Sequence, residues 1–231
     1  MKRFYDTAEA VRSDLGWGVA LDGKPVKTPG DKPLALPAQM LADAIAAEWA
    51  GQEDRIDPAS MPLTGLANAA IEQIAPDPES FAAGLAAYGE TDLLCYRADA
   101  PVELAARQCE AWDPLLAWAE KRYGCGFETA TGVVHRPQPA ATVARLREAV
   151  FALDPFRLAG LSPLTTIGGS LVAALALIEG AFDEDTVWAA TRLDEDWQAG
   201  QWGEDVEAIA ARDAKRRQFG AGMRFLRLLD A

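Results

Sequence analysis

Residues 161–178 carry no charged side chain. Ser162 is a favourable helix N-cap, Pro163 suits the first helical position, and Gly180 suits the C-terminal end. The pattern predicts one helix over 163–180, about 27 Å long, which approaches the length of a membrane span. Threonines, glycines and a serine dilute its apolar content, and no Lys or Arg flanks it. These features favour a buried central helix of a soluble helical domain.

The first 36 residues have the pattern of strands and turns, and apolar and polar positions alternate over 17–28. Asp22-Gly23 lies in the middle of 17–28 and is typical of a type I′ turn, which needs positive φ at both positions. The pattern therefore predicts a hairpin over 17–28. It also indicates short strands at 3–5 and 34–36.

The segment 37–52 has the spacing of an amphipathic helix. Apolar side chains recur three and four residues apart, at Met40, Leu41, Ala44, Ile45 and Trp49. A two-stranded hairpin is marginal alone, so we expect this helix to cover the sheet. We interpret Trp49 as a structural residue that ties the helix to the sheet.

Prolines break the chain at 57–62 and again at 76–78, and both segments are candidate domain boundaries. We place the boundary at the first. Residues 1–62 are predicted to form an N-terminal α+β domain with the β-hairpin, and residues 63–231 a mainly helical domain built around helix 163–180. The predicted fold class is α+β, with a small sheet-plus-helix domain followed by a larger, mainly α-helical one.

Helical spacing dominates the second part, where 131–135 is the one expected strand. Proline lacks a backbone N–H, so Asp113-Pro114 is expected to interrupt one helix and start the next. Helices are predicted at 63–74, 78–88, 101–112, 114–124, 139–153, 183–199 and 203–229.

The charge balance narrows the class of partner. Twenty-two basic and 35 acidic side chains give a formal charge of −13. Nucleic acids and anionic membranes are bound mostly through Lys and Arg, so we expect neither nucleic-acid binding nor membrane insertion. A cationic or mixed-charge protein surface suits this composition.

Cysteine and histidine usage gives little support for catalysis or metal binding. The three cysteines form no CxxC pair, and His135 is the only histidine. We therefore expect buried cysteines in a reducing compartment, without a disulfide framework or zinc site. The first ten residues also lack a signal-peptide core, which indicates an intracellular protein. No phosphate-binding glycine loop or HExxH is present, so we predict no catalytic residue, no metal site and no cofactor.

An acidic stretch with two tryptophans, 192–208, is the strongest candidate site. Three interpretations remain open from the residues alone. The carboxylates could form a solvated face and stabilise a helix N-terminus, chelate Mg²⁺ for phosphoryl chemistry, or make a docking surface with aromatic anchors. The stretch contains Asp194, Glu195, Asp196, Trp197, Trp202, Glu204, Asp205 and Glu207.

Six segments of the chain have a familiar order. They are GWGVALDGKPVKTP, LADAIAAEW, MPLTGLANAAI, ETDLLCYRAD, QCEAWDPLLAWAEKRYG and LDEDWQAGQWGEDVEA. Together they resemble the assembly factors that chaperone the α subunit of F1-ATP synthase, over about 4–225. The resemblance implies a non-enzymatic chaperone in ATP synthase assembly. Such factors bind the free α subunit, shield its subunit interface from aggregation, and release it to the β subunit.

The resemblance also matches the acidic motif near the C-terminus. We therefore predict a partner-binding surface at Glu195, Trp202, Glu204, Asp205 and Glu207. The predicted partner is the unassembled F1-ATPase α subunit, bound by a monomeric chaperone. The targeting extension of eukaryotic members is missing, which indicates a bacterial cytoplasmic protein or a processed protein of the mitochondrial matrix. The alternative hypothesis is a Mg²⁺-dependent helical enzyme that uses Asp194, Glu195 and Glu204 of the acidic cluster at 194–207.

Overall fold

The computed structural model describes residues 1–132, 134–203 and 205–230. A three-stranded sheet with a covering helix comes first, and helices make up most of the remaining chain. The predicted α+β class is therefore confirmed.

The N-terminal sheet is antiparallel with the order β1-β2-β3. Its strands are β1 (Ala8–Ser13), β2 (Gly16–Leu21) and β3 (Lys24–Pro25). Asp22 and Gly23 join the last two strands with φ of 47° and 76°, so the predicted turn is confirmed. The positive φ values match the right-handed twist of the flanking strands.

The first strand lies later than predicted. The strand expected at 3–5 is wrong, because the Arg3 side chain donates hydrogen bonds to the carbonyls of Tyr5 and Asp6 at 3.0 Å each, where the backbone bends. Near 34–36, the expected strand is reduced to single bridges such as Trp17–Leu36.

Helix α1 (Gln39–Ala50) covers the sheet, as its spacing predicted. The buried side chains of this layer include Leu41 and Ile45 from the helix and Val19 from β2. Helix α2 (Pro62–Ala69) follows and continues into a π-helical turn.

The later elements are mostly helices. Pro101 precedes α4, which runs without interruption through Pro114, so the break predicted at that proline is wrong. The helix predicted at 183–199 is also wrong as one element, because the chain changes direction at Arg192. The elements are α3 (Pro78–Ala86), β4 (Tyr96–Arg97), α4 (Val102–Tyr123), β5 (Ala130–Thr131), α5 (Ala140–Phe151), α6 (Pro155–Gly168), α7 (Leu171–Ile178), α8 (Glu184–Thr191), α9 (Leu193–Trp202) and α10 (Val206–Leu229), with β4 parallel to β5.

The helix predicted over 163–180 is two helices. Pro163 does not begin α6 but lies inside it, because the Asp154 carboxylate caps the helix eight residues earlier by accepting from the N–H groups of Phe156 and Arg157. The helix ends before Gly169, whose φ of 67° lies in the left-handed region.

Side chains from two parts of the sequence start α7. Ser170 is its N-cap and accepts from the Ala173 N–H at 2.9 Å, and Asp92 accepts from the Val172 N–H at 2.9 Å. All seven residues of 171–177 are at most 1% exposed, so this apolar segment lies in the core, as predicted. No helix of the described residues is long and apolar enough to cross a membrane.

The chain forms two compact units, and each of them is made of segments that are separate in the sequence. The domain boundary predicted at residue 62 stays a prediction. In the structure, the first compact unit extends to Pro78 and also includes two later segments. The first unit contains Met1–Pro78, Asp154–Gly160 and Ala221–Ala231, and the second contains Glu79–Leu153 and Leu161–Gly220.

Candidate functional site

The acidic stretch folds into two helices that meet at a sharp turn in the second unit. Helix α9 ends at Gly203, whose φ of 78° favours glycine. Asp205 then accepts a hydrogen bond from the Ala208 N–H at 2.7 Å and so caps α10. Trp202 is the last residue of α9, and Val206, the first residue of α10, follows the capping Asp205 directly in the sequence.

Large apolar side chains are exposed at this turn. Trp202 is 80% exposed and Val206 is 82% exposed, while Ile209 one turn later is 39% exposed. Exposed apolar groups framed by charge are typical of protein interaction sites. This combination identifies the turn as a candidate contact surface.

A cleft of about 420 Å³ lies between α9 and α10, and we call it the α9–α10 cleft. Glu195, Trp202 and Asp205 line it, so the structure brings these three predicted residues together. Glu207 is exposed on the first turn of α10 but does not line the cleft. Glu204 was also predicted and lies outside the described residues.

The cleft carries basic side chains that the sequence analysis did not assign to the site. Arg192, Arg212 and Lys215 line it together with the carboxylates. Arg192 pairs with Glu195 at 2.6 Å, although only 8% of the arginine side chain is exposed. The cleft is therefore of mixed charge, because both acidic and basic side chains line it.

A stack of aromatic and cationic groups supports the cleft from α8. The guanidinium groups of Arg192 and Arg216 lie 5.8 and 5.1 Å from the centre of the Trp188 ring. Arg216 also pairs with Asp185 at 2.5 Å. These contacts join α8, the start of α9 and α10, so they fix the wall of the cleft. These contacts could not be predicted from the sequence, because the residues that form them lie on three different helices.

The carboxylates named in the alternative enzyme hypothesis have different neighbours. Asp194 accepts a hydrogen bond from the Gln108 side chain at 2.7 Å, whereas Glu195 pairs with Arg192. Within 1–132, 134–203 and 205–230, no group of three His, Cys, Asp or Glu side chains is arranged to hold a metal ion.

Trp49 lies in the first unit, on α1. Its ring is half-buried and packs edge-on against Tyr5, with ring centres 5.8 Å apart. The Tyr5 hydroxyl donates to the Trp49 carbonyl at 2.7 Å, and burial raises the pKa of Tyr5. These contacts are those of a packing residue, and the structural role of Trp49 stays a prediction.

A protein-family model described as ATP12 chaperone protein matches residues 2–120, more than half of the chain. The chain belongs to the ATP12 family. ATP12 proteins are assembly factors of F1-ATP synthase, so the predicted family, and with it the role of an ATP synthase assembly chaperone, is confirmed.

Relatives of the ATP12 family resemble this chain over most of its length. A mitochondrial atp12 protein of Schizosaccharomyces pombe is 27% identical over 217 residues, which are 86% of this chain and 73% of the relative. The crystal structure of Atp12 from Paracoccus denitrificans is 43% identical, has a TM-score of 0.94, and covers 99% of this chain and 98% of its own. A candidate chaperone from Agrobacterium tumefaciens is 39% identical with a TM-score of 0.94, over 99% of this chain and 86% of its own.

Proposed function

We propose that this ATP12 family member binds the free α subunit of F1-ATPase, shields its subunit interface, and releases it to the β subunit. The proposed contact is the α9–α10 cleft together with the exposed first turn of α10, where Glu207 lies. The observation that carries this placement is the exposure of Trp202 and Val206: Trp202 lines the cleft together with Asp205, and Val206 lies between Asp205 and Glu207 in the sequence.

The physical argument starts from the client. A subunit destined for a large oligomeric interface exposes apolar surface before assembly, and such surfaces self-associate. A temporary partner must cover that surface and still bind more weakly than the final neighbour. A small apolar centre with charged groups around it fits this role, because charges accelerate encounter while a limited apolar area keeps dissociation fast.

The further expectations follow from this role. The protein acts without catalysis and without a cofactor, as a monomer. It works in the bacterial cytoplasm, or in the mitochondrial matrix if it derives from a processed eukaryotic precursor. Membership of a chaperone family supports the non-enzymatic role over the Mg²⁺-dependent alternative.

The test measures capture of purified F1 α subunit by two surface variants. Trp202→Ser removes an 80% exposed side chain, and Glu207→Lys reverses an exposed charge, so neither disturbs the core. Each is expected to weaken binding by about tenfold and to allow α-subunit aggregation, measured by light scattering.

The matched control is Asp43→Lys, an equal charge reversal at an exposed position of α1. It should bind like the natural chain. If folded Trp202→Ser and Glu207→Lys proteins both capture the α subunit as well as the control does, the α9–α10 cleft is not the contact.

A further inference from the structure

A second groove lies on the opposite face of α9, between α4, α8 and α9. Its volume is about 680 Å³, larger than that of the α9–α10 cleft. Helical geometry separates the two sites, because Leu193, Asp196 and Trp197 line the groove while Glu195 and Trp202 line the cleft. The apolar part of its lining comprises Ala111, Pro114, Phe182, Ala189, Ala190 and Leu193.

The walls of this α4–α8–α9 groove are tied together by hydrogen bonds. The buried Trp112 donates from Nε1 to the Ala190 carbonyl at 2.7 Å, which links α4 to α8. The buried Gln108 donates from Nε2 to Asp194 Oδ1 at 2.7 Å, which links α4 to α9. The groove is therefore preformed, and binding there needs little reorganisation of the protein.

Two exposed carboxylates that line the groove have no ion-pair partner among the described residues. Glu110 and Asp196 both line it, and across the described parts of the chain neither forms an ion pair or side-chain hydrogen bond. Among the described residues that line the groove, the cation is Arg107, whose guanidinium lies 4.9 Å from the centre of the Trp197 ring. The carboxylates of Glu110 and Asp196 are therefore available to pair with a cationic group of a ligand.

Pro114 alters the backbone hydrogen bonding of α4 next to the groove. A proline inside a helix has no N–H, so the carbonyl four residues earlier, that of Glu110, cannot receive its usual helical hydrogen bond. Both residues line the groove. Two carboxylates beside an apolar floor favour a ligand with N–H donors and an aliphatic part.

On the basis of the proposed function, we propose that the α4–α8–α9 groove is a second contact site for the client subunit. The groove takes an aliphatic side chain that is followed or preceded by lysine or arginine. The aliphatic group packs on Leu193 and Phe182, and the cation pairs with Glu110 and Asp196. Because α9 forms a wall of both sites, the client subunit contacts this helix on two faces.

The experiment measures the affinity of the full chain for purified F1 α subunit by biolayer interferometry. Glu110→Lys with Asp196→Lys reverses the edge charges, and Ala189→Trp fills the groove from an exposed position of α8. Both proteins are expected to bind about tenfold more weakly or worse. The matched controls are Asp43→Lys with Asp213→Lys, and Ala117→Trp, which alter exposed positions outside the groove lining and should stay within about twofold.

The outcomes separate this inference from the proposed function. If the natural chain binds the α subunit and both folded groove variants bind it equally well, the second site is overturned while the proposed function stands. If the natural chain does not bind the α subunit, both are overturned. If Ala189→Trp changes only the self-association of the chain, the groove belongs to a second copy and the proposal is wrong.

Discussion

The two tryptophans Trp49 and Trp202 occupy opposite environments. Trp202 is 80% exposed at the end of α9, whereas Trp49 is half-buried against Tyr5. The indole N–H of Trp49 is buried and has no hydrogen-bond partner among the described residues. An unpaired buried donor costs free energy, so the ring of Trp49 must contribute through packing.

Replacing Trp49 should therefore lower stability in proportion to the ring surface lost. Trp49→Ala is expected to reduce the free energy of unfolding by about 2–4 kcal/mol, less than for a fully buried ring. Trp49→Phe should cost less, because it keeps an aromatic contact with Tyr5 and removes the unpaired N–H. Urea unfolding measures both. An unchanged midpoint for Trp49→Ala would instead make Trp49 a surface residue.

Asp92 is a fully buried carboxylate in the second unit. Desolvation raises its pKa to about 6, although the N–H groups of Val172 and Leu94 donate to it at 2.9 and 3.1 Å. Because the pKa of Asp92 is higher in the folded than in the unfolded chain, protonation of this carboxyl stabilises the fold. This contribution to the free energy of unfolding is full below the unfolded pKa and is lost as pH rises through about 6.

The variant Asp92→Asn isolates this contribution. Asparagine cannot titrate, and it presents an N–H donor where the carboxylate has an acceptor, so the variant is destabilised at every pH. The loss should be about 1 kcal/mol larger at about pH 5 than at about pH 7.5, because only the natural chain gains stability on acidification there. Urea unfolding at both pH values measures the difference, and an equal loss at both would contradict the raised pKa.

The break between α6 and α7 depends on the backbone at Gly169. Its φ of 67° disfavours any residue with a Cβ, so Gly169→Ala should destabilise by about 1–2 kcal/mol. Gly65→Ala on α2 is the matched control, since among the described residues nothing apart from its chain neighbours and its own helix backbone lies within 4 Å of an added Cβ. It should stabilise by about 0.5–1 kcal/mol. Thermal unfolding of both distinguishes a strained position from ordinary helix propensity, and loss of this sign difference would refute the assignment.

Local signals explain which elements could be predicted. The hairpin at Asp22-Gly23 was predictable because both turn residues are adjacent in sequence. The end of α6 was not, because one of the caps that favour a new helix comes from Asp92, 80 residues before Val172. The helix break predicted at Pro114 was wrong for a similar reason. Tertiary packing keeps α4 continuous through this proline despite the lost hydrogen bond.

The candidate site shows the same division. That Glu195, Trp202 and Asp205 belong to one candidate surface was predictable from a compact acidic-aromatic stretch and its family resemblance. Arg192 was not, because its burial and its pairing with Glu195 depend on the Trp188 ring of another helix. The groove beyond α9 also escaped prediction, since α4 contributes residues distant in sequence.

The whole molecule combines a strongly acidic charge of −13 with local sites of mixed charge. The net charge opposes self-association and favours encounter with a basic surface, whereas the exposed apolar groups on α9 and α10 are available for short-range contact in the proposed complex. Net negative charge together with a small exposed apolar surface suits a partner that must bind quickly and dissociate again.

Displacement by the β subunit tests the central claim most directly. The complex of this protein with the purified F1 α subunit is isolated by size-exclusion chromatography, and β subunit is then added. We predict that the chaperone elutes free while α and β elute together, because the final interface buries more apolar surface. Failure to form the first complex, or a complex that keeps the chaperone bound after excess β subunit is added, would contradict the account.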